Sequence, residues 1–473
     1  MIKKGFPVVH FYDQDFVDLY DRTWAWIQDF WKKGTPENGL DTRYFNYPEN
    51  TTINQFEACL STFFLVYSNG IFPAIPLLDN FYNKQEENGA IRSEYSETDG
   101  SPVLTPENPE GVSPPLFSWA EYNLYHKIGN KKRLKEIMPI LEKHFSWIEA
   151  TFKQENGLYS VPFEALQMPN APREEAFYPV DFNSQMAVNA LYMSEIGDIL
   201  NDKELSFRYK RAYFSLKTRI SSQMWDEETG LYLDLDKNGE KLKVKTIASF
   251  WPLLAEIPNE ARANAMIDHL RNPETFGIDN PFPSLAADEP LFDEMGHGCR
   301  GSVYPHFNFI IIKGLEKYAQ YELARECAIR HLYFMLDTLH PEKVKGNIYE
   351  AYLPLKDGPA QWPENKNFPR PLFLPFAALA SITLIIENVI GLYISLPRKT
   401  VDWLMPSLEI MGIEDLSLKR NMITILSNKS GRGWEIRLES EKLYYFTINI
   451  LGEHKKKTLP IPSGKCSMLI DKL

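Results

Sequence analysis

A repeated arrangement of two apolar helices, a short turn and a long loop constrains the fold most strongly. Between residues 13 and 30, Phe16, Leu19, Tyr20, Trp24 and Ile27 recur at helical spacing and form one apolar stripe. The pattern predicts further helices at 56–67, 75–82, 134–148, 183–200, 203–222, 246–257, 260–270, 309–318, 321–338 and 372–390.

Antiparallel helical hairpins of this kind pack side by side, and about a dozen helices suit a closed double ring. We therefore predict a mainly α fold, an (α/α)₆ toroid whose long loops meet at one end and line one cleft. An open solenoid of helical hairpins would give the same sequence pattern.

The periodicity changes to two after Pro397, which indicates β-strands. Apolar and polar residues alternate around Ile436 and Leu438, and again around Phe446 and Ile448. The sequence thus predicts a helical domain over residues 1–397 and a small antiparallel, sandwich-like β module over residues 398–473.

The composition restricts the partners of the chain. A net charge of −12 over 473 residues argues against nucleic acid and anionic membranes as partners. The aromatic share of 13% favours a ligand that stacks on flat rings, so we expect a small-molecule carbohydrate. The sequence gives no indication of the oligomeric state.

The remaining compositional features predict a cytoplasmic protein. The N-terminus lacks the pattern of a secretory signal, and the longest apolar stretch, 372–386, is shorter than the roughly 20 residues that span a bilayer. No metal or cofactor is expected, because no ligand or cofactor motif is present at a suitable spacing. The cysteines contain no CxxC pair and are expected to be reduced thiols; they are Cys59, Cys299, Cys327 and Cys466.

Two loops carry the residues best suited to chemistry. In residues 346–352 (GNIYEAY), Glu350 lies between Tyr349 and Tyr352, and residues 300–309 (RGSVYPHFNF) combine Arg, Asn and aromatic groups. Aromatic faces and hydrogen-bonding side chains on loops are typical of sugar pockets. If the two loops meet, Arg300 would hold the charge of Glu350; capping of a helix or a plain ion pair is the alternative for Glu350.

Six segments resemble, in chain order, those of the trehalase and mannosylglycerate-hydrolase group of glycoside hydrolases (families 37 and 63). They cover most of residues 50–375. The segments are 113–115 (SPP), 179–184 (PVDFNS), 225–232 (WDEETGLY), 283–290 (PSLAADEP), 300–305 (RGSVYP) and 350–358, which begins EAY.

The resemblance implies an (α/α)₆ barrel and hydrolysis of a small α-linked glucoside or mannoside with inversion. It implies that Glu350 is the catalytic base, which activates a water. Capping of the helix after it is the alternative role of Asp181. The residues expected to contact the sugar are Arg300, Asp181, Asn308, Tyr304, Trp119, Glu57 and Tyr352.

The sequence departs from this family at the catalytic acid. Residues 163–173 (FEALQMPNAPR) stand where members have W-E-S-G-x-D-N-S-P-R, so that Pro169 takes the place of the acid. Proline cannot donate a proton, and Glu164 is the preferred substitute, with Glu174 and Asp181 as alternatives. Phe56-Glu57 likewise replaces the usual W-D pair.

Two other functions remain open from the sequence. A chain without its acid could bind carbohydrate without turnover. A sugar epimerase or isomerase on the same scaffold would instead use His297 or His306 to abstract a proton.

Overall fold

A computed structural model of the protein describes residues 5–339, 346–419, 421–431, 433–451, 455–461 and 464–470. For residues 418, 455–461 and 465–470 the description is limited to the backbone, so the side chain of Cys466 lies outside it. Within these ranges the other three cysteines are buried free thiols.

All the helices lie between residues 14 and 389 of the described chain, where the periodicity predicts them, with loops and short strands between them. The α-helices are α1 Gln14–Ile27, α2 Gln55–Leu65, α3 Ile75–Tyr82, α4 Phe117–Ile128, α5 Lys131–Phe152, α6 Val180–Leu200, α7 Lys203–Gln223, α8 Trp251–Leu254, α9 Glu260–Arg271, α10 Pro305–Lys317, α11 Tyr321–Leu339 and α12 Leu374–Ala378, which continues as a π-helix over Leu379–Val389. Short 3-10 helices lie at Gln28–Phe30, Phe163–Leu166, Ile247–Phe250 and Gly298–Arg300.

The burial of each helix distinguishes an inner from an outer layer. In α6 sixteen of the 21 residues are buried, whereas the equally long α7 buries six on a single stripe. A helix that is buried all round lies inside the protein, and a helix with one apolar stripe covers it. The even-numbered helices form the inner layer: each of α2, α4, α6, α8 and α10 packs against the next, and α12 packs against both α10 and α2.

One of these inner helices is not predicted from the sequence. The segment around Pro114 and Pro115 indicates a loop, but α4 begins two residues later at Phe117 and continues to Ile128. Proline ends the preceding loop without disturbing the helix, because its ring lies before the first helical turn. The long segment from 83 to 112 is a loop apart from a short strand, as expected.

Two sheets form the C-terminal module. Their orders are β1-β10-β11-β12-β15 and β14-β13-β9-β8. The strands are β1 Val8–Phe11, β2 Trp31–Lys32, β3 Tyr44–Phe45, β4 Thr52–Asn54, β5 Glu94–Ser96, β6 Trp225–Asp226, β7 Leu231–Tyr232, β8 Leu392–Ser395, β9 Thr400–Met405, β10 Met411–Leu418, β11 Asn421–Ser430, β12 Gly433–Ser440, β13 Tyr444–Ile450, β14 Lys455–Ile461 and β15 Gly464–Ile470.

The predicted β module is confirmed, and the alternation in β13 buries Tyr444, Phe446, Ile448 and Ile450 as expected. The prediction of a wholly antiparallel module is wrong, because β13 runs parallel to β9. Parallel neighbours need a long connection, and the chain supplies one by building β10, β11 and β12 of the other sheet between them. The boundary at residue 397 stays a prediction.

The N-terminus and the end of the helical part also contribute strands to this module. β1 pairs with β10, and β8 pairs with β9. Among the described residues no helix combines the length and apolarity that crossing a membrane requires. The cytoplasmic location stays a prediction.

Candidate active site

Glu350 is buried and forms a bidentate ion pair with Arg370. The Nη2 of Arg370 donates to Glu350 Oε1 at 2.7 Å, and its Nε donates to Oε2 at 2.9 Å. The backbone N–H of Arg370 also donates to Oε2, at 3.2 Å. A carboxylate offers about four acceptor positions, so one position on Oε1 is left for another donor.

Glu57 approaches the same guanidinium from the first turn of α2. Its Oε1 lies 3.7 Å from Arg370 Nη1, and Asn50 donates to its Oε2 at 3.3 Å. Burial raises the pKa of Glu57 to about 7; the charge of Arg370 opposes this shift and that of Glu350 adds to it. Near neutral pH a substantial fraction of Glu57 therefore carries a proton.

Local sequence explains why these groups converge. Asn54 caps α2 by accepting from the backbone N–H groups of Phe56 and Glu57, which fixes the first helical turn. The guanidinium of Arg370 lies 3.3 Å from the centre of the Phe373 ring, just before α12. Glu57 also lines a cavity of about 20 Å³, large enough for one water. Because 28% of the Arg370 side chain is exposed, the cluster reaches solvent there.

The two predicted loops do meet. Val303 and Tyr352 exchange backbone hydrogen bonds of 3.0 and 2.9 Å, which joins residues 300–309 to residues 346–352. The expectation that Arg300 holds the charge of Glu350 is wrong, because Arg370 does so and the Nε of Arg300 donates instead to the backbone oxygen of Asn170. Arg300 lies 50 residues before Glu350 in the chain, whereas Arg370 lies 20 residues after it, in a segment rich in proline.

Asp181 belongs to a fully buried charge cluster. Arg173 donates to both of its oxygens, at 2.7 and 2.8 Å, and to both oxygens of Asp234, at 2.8 and 2.7 Å. Asp234 also accepts from the backbone N–H of Val180, at the start of α6. Asp181 lies within the first turn of α6, which has no side-chain cap, so the capping alternative is wrong. Its contacts with Arg173 favour a structural role as one member of a buried ion pair.

Two residues of the segment that replaces the family's acid lie at the surface, although most of the segment is buried or half-buried. Glu164 is exposed on a 3-10 turn, and Pro169 is exposed as well. Asn170, next to Pro169, forms two hydrogen bonds with the turn before Arg300. Its Nδ2 donates to the backbone oxygen of His297, and its Oδ1 accepts from the backbone N–H of Cys299, both at 2.8 Å.

Three of the residues expected to contact sugar are buried at this end of the helices. Tyr352 is fully buried, and its hydroxyl accepts from the N–H of Tyr349. Tyr304 lies beside Cys299, and burial raises the pKa of its phenol. Asn308 donates to the backbone oxygen of Tyr304, while its Oδ1 has no partner among the described residues.

Trp119 lies in a different place from the carboxyl groups. Its ring packs against Phe63 and Phe309 and lines a second cavity, toward the C-terminal ends of the inner helices. It is therefore not brought together with Glu350 and Glu57.

The two histidines of the isomerase alternative differ sharply. His297 is partly exposed and lies 3.0 Å from a carboxylate oxygen of Glu364. His306 is buried between Phe376 and Phe56, and burial and the charge of Arg370 lower its pKa well below the ordinary value. Neither arrangement presents an imidazole that is both free and accessible.

The comparisons with known proteins decide the family. The model of the mannosylglycerate hydrolase MGH1-like glycoside hydrolase domain matches residues 77–368, which is more than half of the chain. The model of the trehalase C-terminal domain matches residues 391–473. The chain belongs to the MGH1-like glycoside hydrolases. The resemblance stated from the motifs is thereby confirmed.

Relatives of this glycoside hydrolase occur in several bacteria. An uncharacterized protein of Borreliella burgdorferi is 53% identical over the full length of both chains. A mannosylglycerate hydrolase of Rubrobacter radiotolerans is 27% identical over 32% of this chain and 35% of its own length. That of Thermus thermophilus is 34% identical over 21% and 24%.

Solved structures share the fold of this glycoside hydrolase. A GH63 mannosylglycerate hydrolase from Thermus thermophilus, in complex with glucose, superposes with a TM-score of 0.59 at 19% identity and covers 77% of this chain and 98% of that one. A GH78 rhamnosidase from a Bacillus species has a TM-score of 0.69 at 13% identity and covers 93% of this chain and 42% of that one.

Arg370 is the residue of this site that the sequence did not reveal. It lies in Phe368-Pro369-Arg370-Pro371, where a lone cation sits between two prolines just ahead of an apolar helix. This sequence context is the one feature that could have indicated Arg370, because the prolines keep the segment out of the helix and place the arginine just before its first turn.

Proposed function

We propose that this glycoside hydrolase cleaves a small α-linked glucoside or mannoside with inversion at the anomeric carbon. The family supports the reaction type, and the names of the Rubrobacter and Thermus relatives support the substrate class. The chain of contacts from α2 through the inner helices to α12 and back to α2 supports an (α/α)₆ toroid as the scaffold.

The observation that carries the proposal is the convergence of Glu350 and Glu57 on Arg370. Inverting hydrolysis needs one ionised and one protonated carboxyl group, about 6.5–9.5 Å apart. The two carboxyl groups contact different nitrogens of one guanidinium, at 2.7 and 3.7 Å, which is compatible with a separation in this range. Their environments also differ, as an acid and base pair requires.

Glu350 is assigned the role of general base. Three N–H groups of Arg370 stabilise its negative charge, and the position left on Oε1 would accept a proton from the attacking water. The adjacent backbone bond between Val303 and Tyr352 holds its loop in place.

Glu57 is assigned the role of general acid, in place of the residue that Pro169 replaces. Its raised pKa, about 7, keeps part of the population protonated at neutral pH. Glu164 stays the alternative acid that the sequence proposes, although its side chain is exposed on a 3-10 turn whereas that of Glu57 is largely buried.

Three variants separate these roles: Glu350→Gln, Glu57→Gln and Glu164→Gln. Turnover is measured on mannosylglycerate, a panel of α-disaccharides, and α-glucosyl and α-mannosyl fluoride. Glu350→Gln is expected to lower kcat on every substrate by about 10²–10⁴-fold, the usual contribution of a general base. Glu57→Gln is expected to lower kcat on the glycosides by a similar factor and to spare the fluorides, since fluoride leaves without a proton.

Glu164→Gln is the matched control and is expected to keep full activity on all substrates. Full activity of Glu350→Gln would remove the base assignment, and a loss confined to Glu164→Gln would move the acid to that residue. NMR of the first product should show the β-anomer; initial release of the α-anomer would contradict inversion. Binding without turnover would favour a carbohydrate-binding role, and interconversion of free sugars would favour an isomerase.

A further inference from the structure

The outward side of α7 carries two exposed phenylalanines. Phe207 is 63% exposed and Phe214 is 51% exposed, and no other phenylalanine among the described residues is exposed to this degree. They are seven residues apart, which places both rings on one side of the helix, about 10 Å apart along its axis. Lys203, Lys210 and Arg211 are exposed on the same side, since each lies three or four residues from one of the rings. These five residues form the α7 stripe.

The hydrophobic core makes no use of the α7 stripe. The buried apolar residues of α7 lie on the opposite side of the helix: Leu205, Tyr209, Tyr213, Leu216 and Ile220. The guanidinium of Arg211 lies 5.9 Å from the centre of the Phe207 ring, a cation–π contact within the stripe. Single exposed apolar residues are common on protein surfaces, but two rings interleaved with three cations on one helix face indicate an interaction surface.

The α7 stripe belongs to a surface with an excess of positive charge. Every carboxylate of α5 and α7 has a cation beside it: Glu136 pairs with Lys132, Glu149 with Lys153, and Glu142 and Glu204 with Arg208. Six exposed cations of the two helices have no carboxylate at ion-pair distance in the described part of the chain: Lys131, Lys135, Lys143, Lys203, Lys210 and Arg211. The ion pair between Glu142 and Arg208, at 2.7 Å, joins the two helices, so these cations share one surface, the α5–α7 face.

Charge and shape together select an anionic lipid bilayer as the partner. Five of the six cations are lysines, whose compact charges on flexible stems suit a diffuse negative surface, whereas arginine is favoured where a single carboxylate is bound by two hydrogen bonds. Aromatic rings between cations enter the boundary between lipid head groups and acyl chains, while the ammonium groups stay among the head groups. A helix that lies flat on a bilayer presents one straight side, as the α7 stripe does.

Neither the net charge of the chain nor a second copy changes this choice. The charge of −12 opposes an anionic membrane, but at physiological ionic strength a charge acts over about 8 Å, so the local excess on the α5–α7 face decides. A second copy that packed symmetrically through this face would bring like charges together. An acidic protein is the alternative that remains, and a soluble polyanion distinguishes it.

We propose that the α5–α7 face adsorbs to an anionic lipid bilayer, with α7 parallel to the membrane surface. Phe207 and Phe214 enter the boundary between head groups and acyl chains, and the six cations lie among the anionic head groups. The proposal goes beyond glycoside hydrolysis and uses none of the residues assigned to that reaction.

Sedimentation of the full-length protein with lipid vesicles tests the proposal. The vesicles consist of phosphatidylcholine alone or with about 30% phosphatidylglycerol, in about 0.1 M or 0.5 M NaCl. We expect binding to the phosphatidylglycerol vesicles at the lower salt concentration. Binding should be at least about tenfold weaker at the higher concentration, and also to phosphatidylcholine alone. Poly-L-glutamate at the same concentration of negative charge should not displace the protein from the vesicles, because it offers no apolar layer to the two rings.

Charge reversal locates the binding surface. Lys210→Glu/Arg211→Glu places two carboxylates in the α7 stripe and should weaken vesicle binding at least about tenfold, since each basic residue near an anionic surface contributes about fivefold. Lys237→Glu/Lys356→Glu is the matched control, because both exposed lysines lie in loops outside the two helices and the net charge changes equally. The control should bind within about twofold of the wild type.

Removal of the rings tests their insertion. Phe207→Ser/Phe214→Ser leaves every charge in place and should weaken binding to the phosphatidylglycerol vesicles about tenfold. Leu291→Ser, at a residue that is 50% exposed in a loop, is the control and should bind like the wild type. All these variants should melt within about 2 °C of the wild type, because the substituted side chains are exposed.

Other results would overturn the proposal. These are no binding to phosphatidylglycerol vesicles at the lower salt concentration, equal binding to phosphatidylcholine alone, unchanged binding in both stripe variants, or an equal loss in the control variants. Displacement by poly-L-glutamate, with unchanged binding of Phe207→Ser/Phe214→Ser, would assign the face to an acidic protein instead. Glu350→Gln should bind the vesicles like the wild type, so the membrane proposal and the hydrolase proposal fail separately.

Discussion

A single cation, Arg370, contacts two largely buried carboxyl groups, those of Glu350 and Glu57. Arg370 pairs closely with Glu350 and only at 3.7 Å with Glu57. The better-paired group gains the stronger stabilisation of its charge, and the other bears the cost of burial. An asymmetric pair of carboxyl groups around one arginine is therefore a natural source of an acid and a base.

The titration of Glu57 predicts how stability depends on pH. Its pKa rises from 4.5 in the unfolded chain to about 7 in the folded protein, so the folded state binds more protons between these values. Stability contributed by protonated Glu57 is present below pH 4.5 and is lost as the pH rises to about 7. The slope reaches at most about 1.4 kcal/mol per pH unit.

Urea unfolding from pH 4.5 to 8 checks this prediction. Glu57→Gln cannot titrate, so the difference between the wild-type and variant free energies of unfolding should change steadily across this window and level off above it. Taking the difference cancels other groups, such as Asp21, whose pKa burial raises to about 6. Parallel profiles for the two proteins would show that Glu57 keeps an ordinary pKa.

The entry to α6 illustrates how one element depends on buried charge. Arg173 donates five hydrogen bonds or close contacts around Met168, Asp181 and Asp234, and Asp234 in turn accepts from the first N–H of α6. A helix end that is buried needs such partners, since its first N–H groups have none within the helix. The segment that ends with Arg173 is thus a support for α6.

Asp181→Asn tests whether this support is the main role of Asp181. Removing one carboxylate leaves part of the buried Arg173 charge uncompensated, so the free energy of unfolding should fall by roughly 3 kcal/mol. The kcat per folded molecule, measured well below the melting temperature, should stay within about threefold of wild type. The matched control Glu204→Gln, on the exposed start of α7, should change stability by less than about 0.5 kcal/mol.

A large loss of kcat in Asp181→Asn, with stability close to wild type, would instead place this carboxylate at the substrate. Circular dichroism of both variants identifies the folded fraction on which kcat is based.

The whole molecule is joined at both ends of the helical part. β1, which precedes α1, forms an edge of the five-stranded sheet, and β8, which follows the last inner helix, forms an edge of the four-stranded sheet. Buried residues of β1 belong to the same hydrophobic core as the helices and the C-terminal strands. We therefore expect the helical part and the β module to unfold together.

Val9→Ala tests this cooperativity. Val9 is 2% exposed in β1, and losing two buried methyl groups should cost roughly 2 kcal/mol. Calorimetry should show one transition, shifted to lower temperature as a whole. His10→Ala, on the partly exposed face of the same strand, is the control and should shift it little. Two transitions, of which only one responds to Val9→Ala, would show that the parts unfold independently.

The amino-acid sequence by itself determined the local structure and the family. Helical periodicity, the change to period two after Pro397 and six ordered motifs depend on neighbouring residues, so they can be read along the chain. The sequence does not predict the helix at residues 117–128, because two prolines precede it, or β1, because a four-residue strand carries too little pattern to recognise.

Only the tertiary structure decided which distant side chains meet. Arg370, rather than Arg300 of the neighbouring loop, pairs with Glu350, and Glu57 joins them from a part of the chain almost 300 residues earlier. Trp119 belongs to the second cavity, and Asp181 faces Arg173. These contacts depend on how the helices pack and on which charged groups are removed from water on folding. Neither can be inferred from the spacing of residues along the chain.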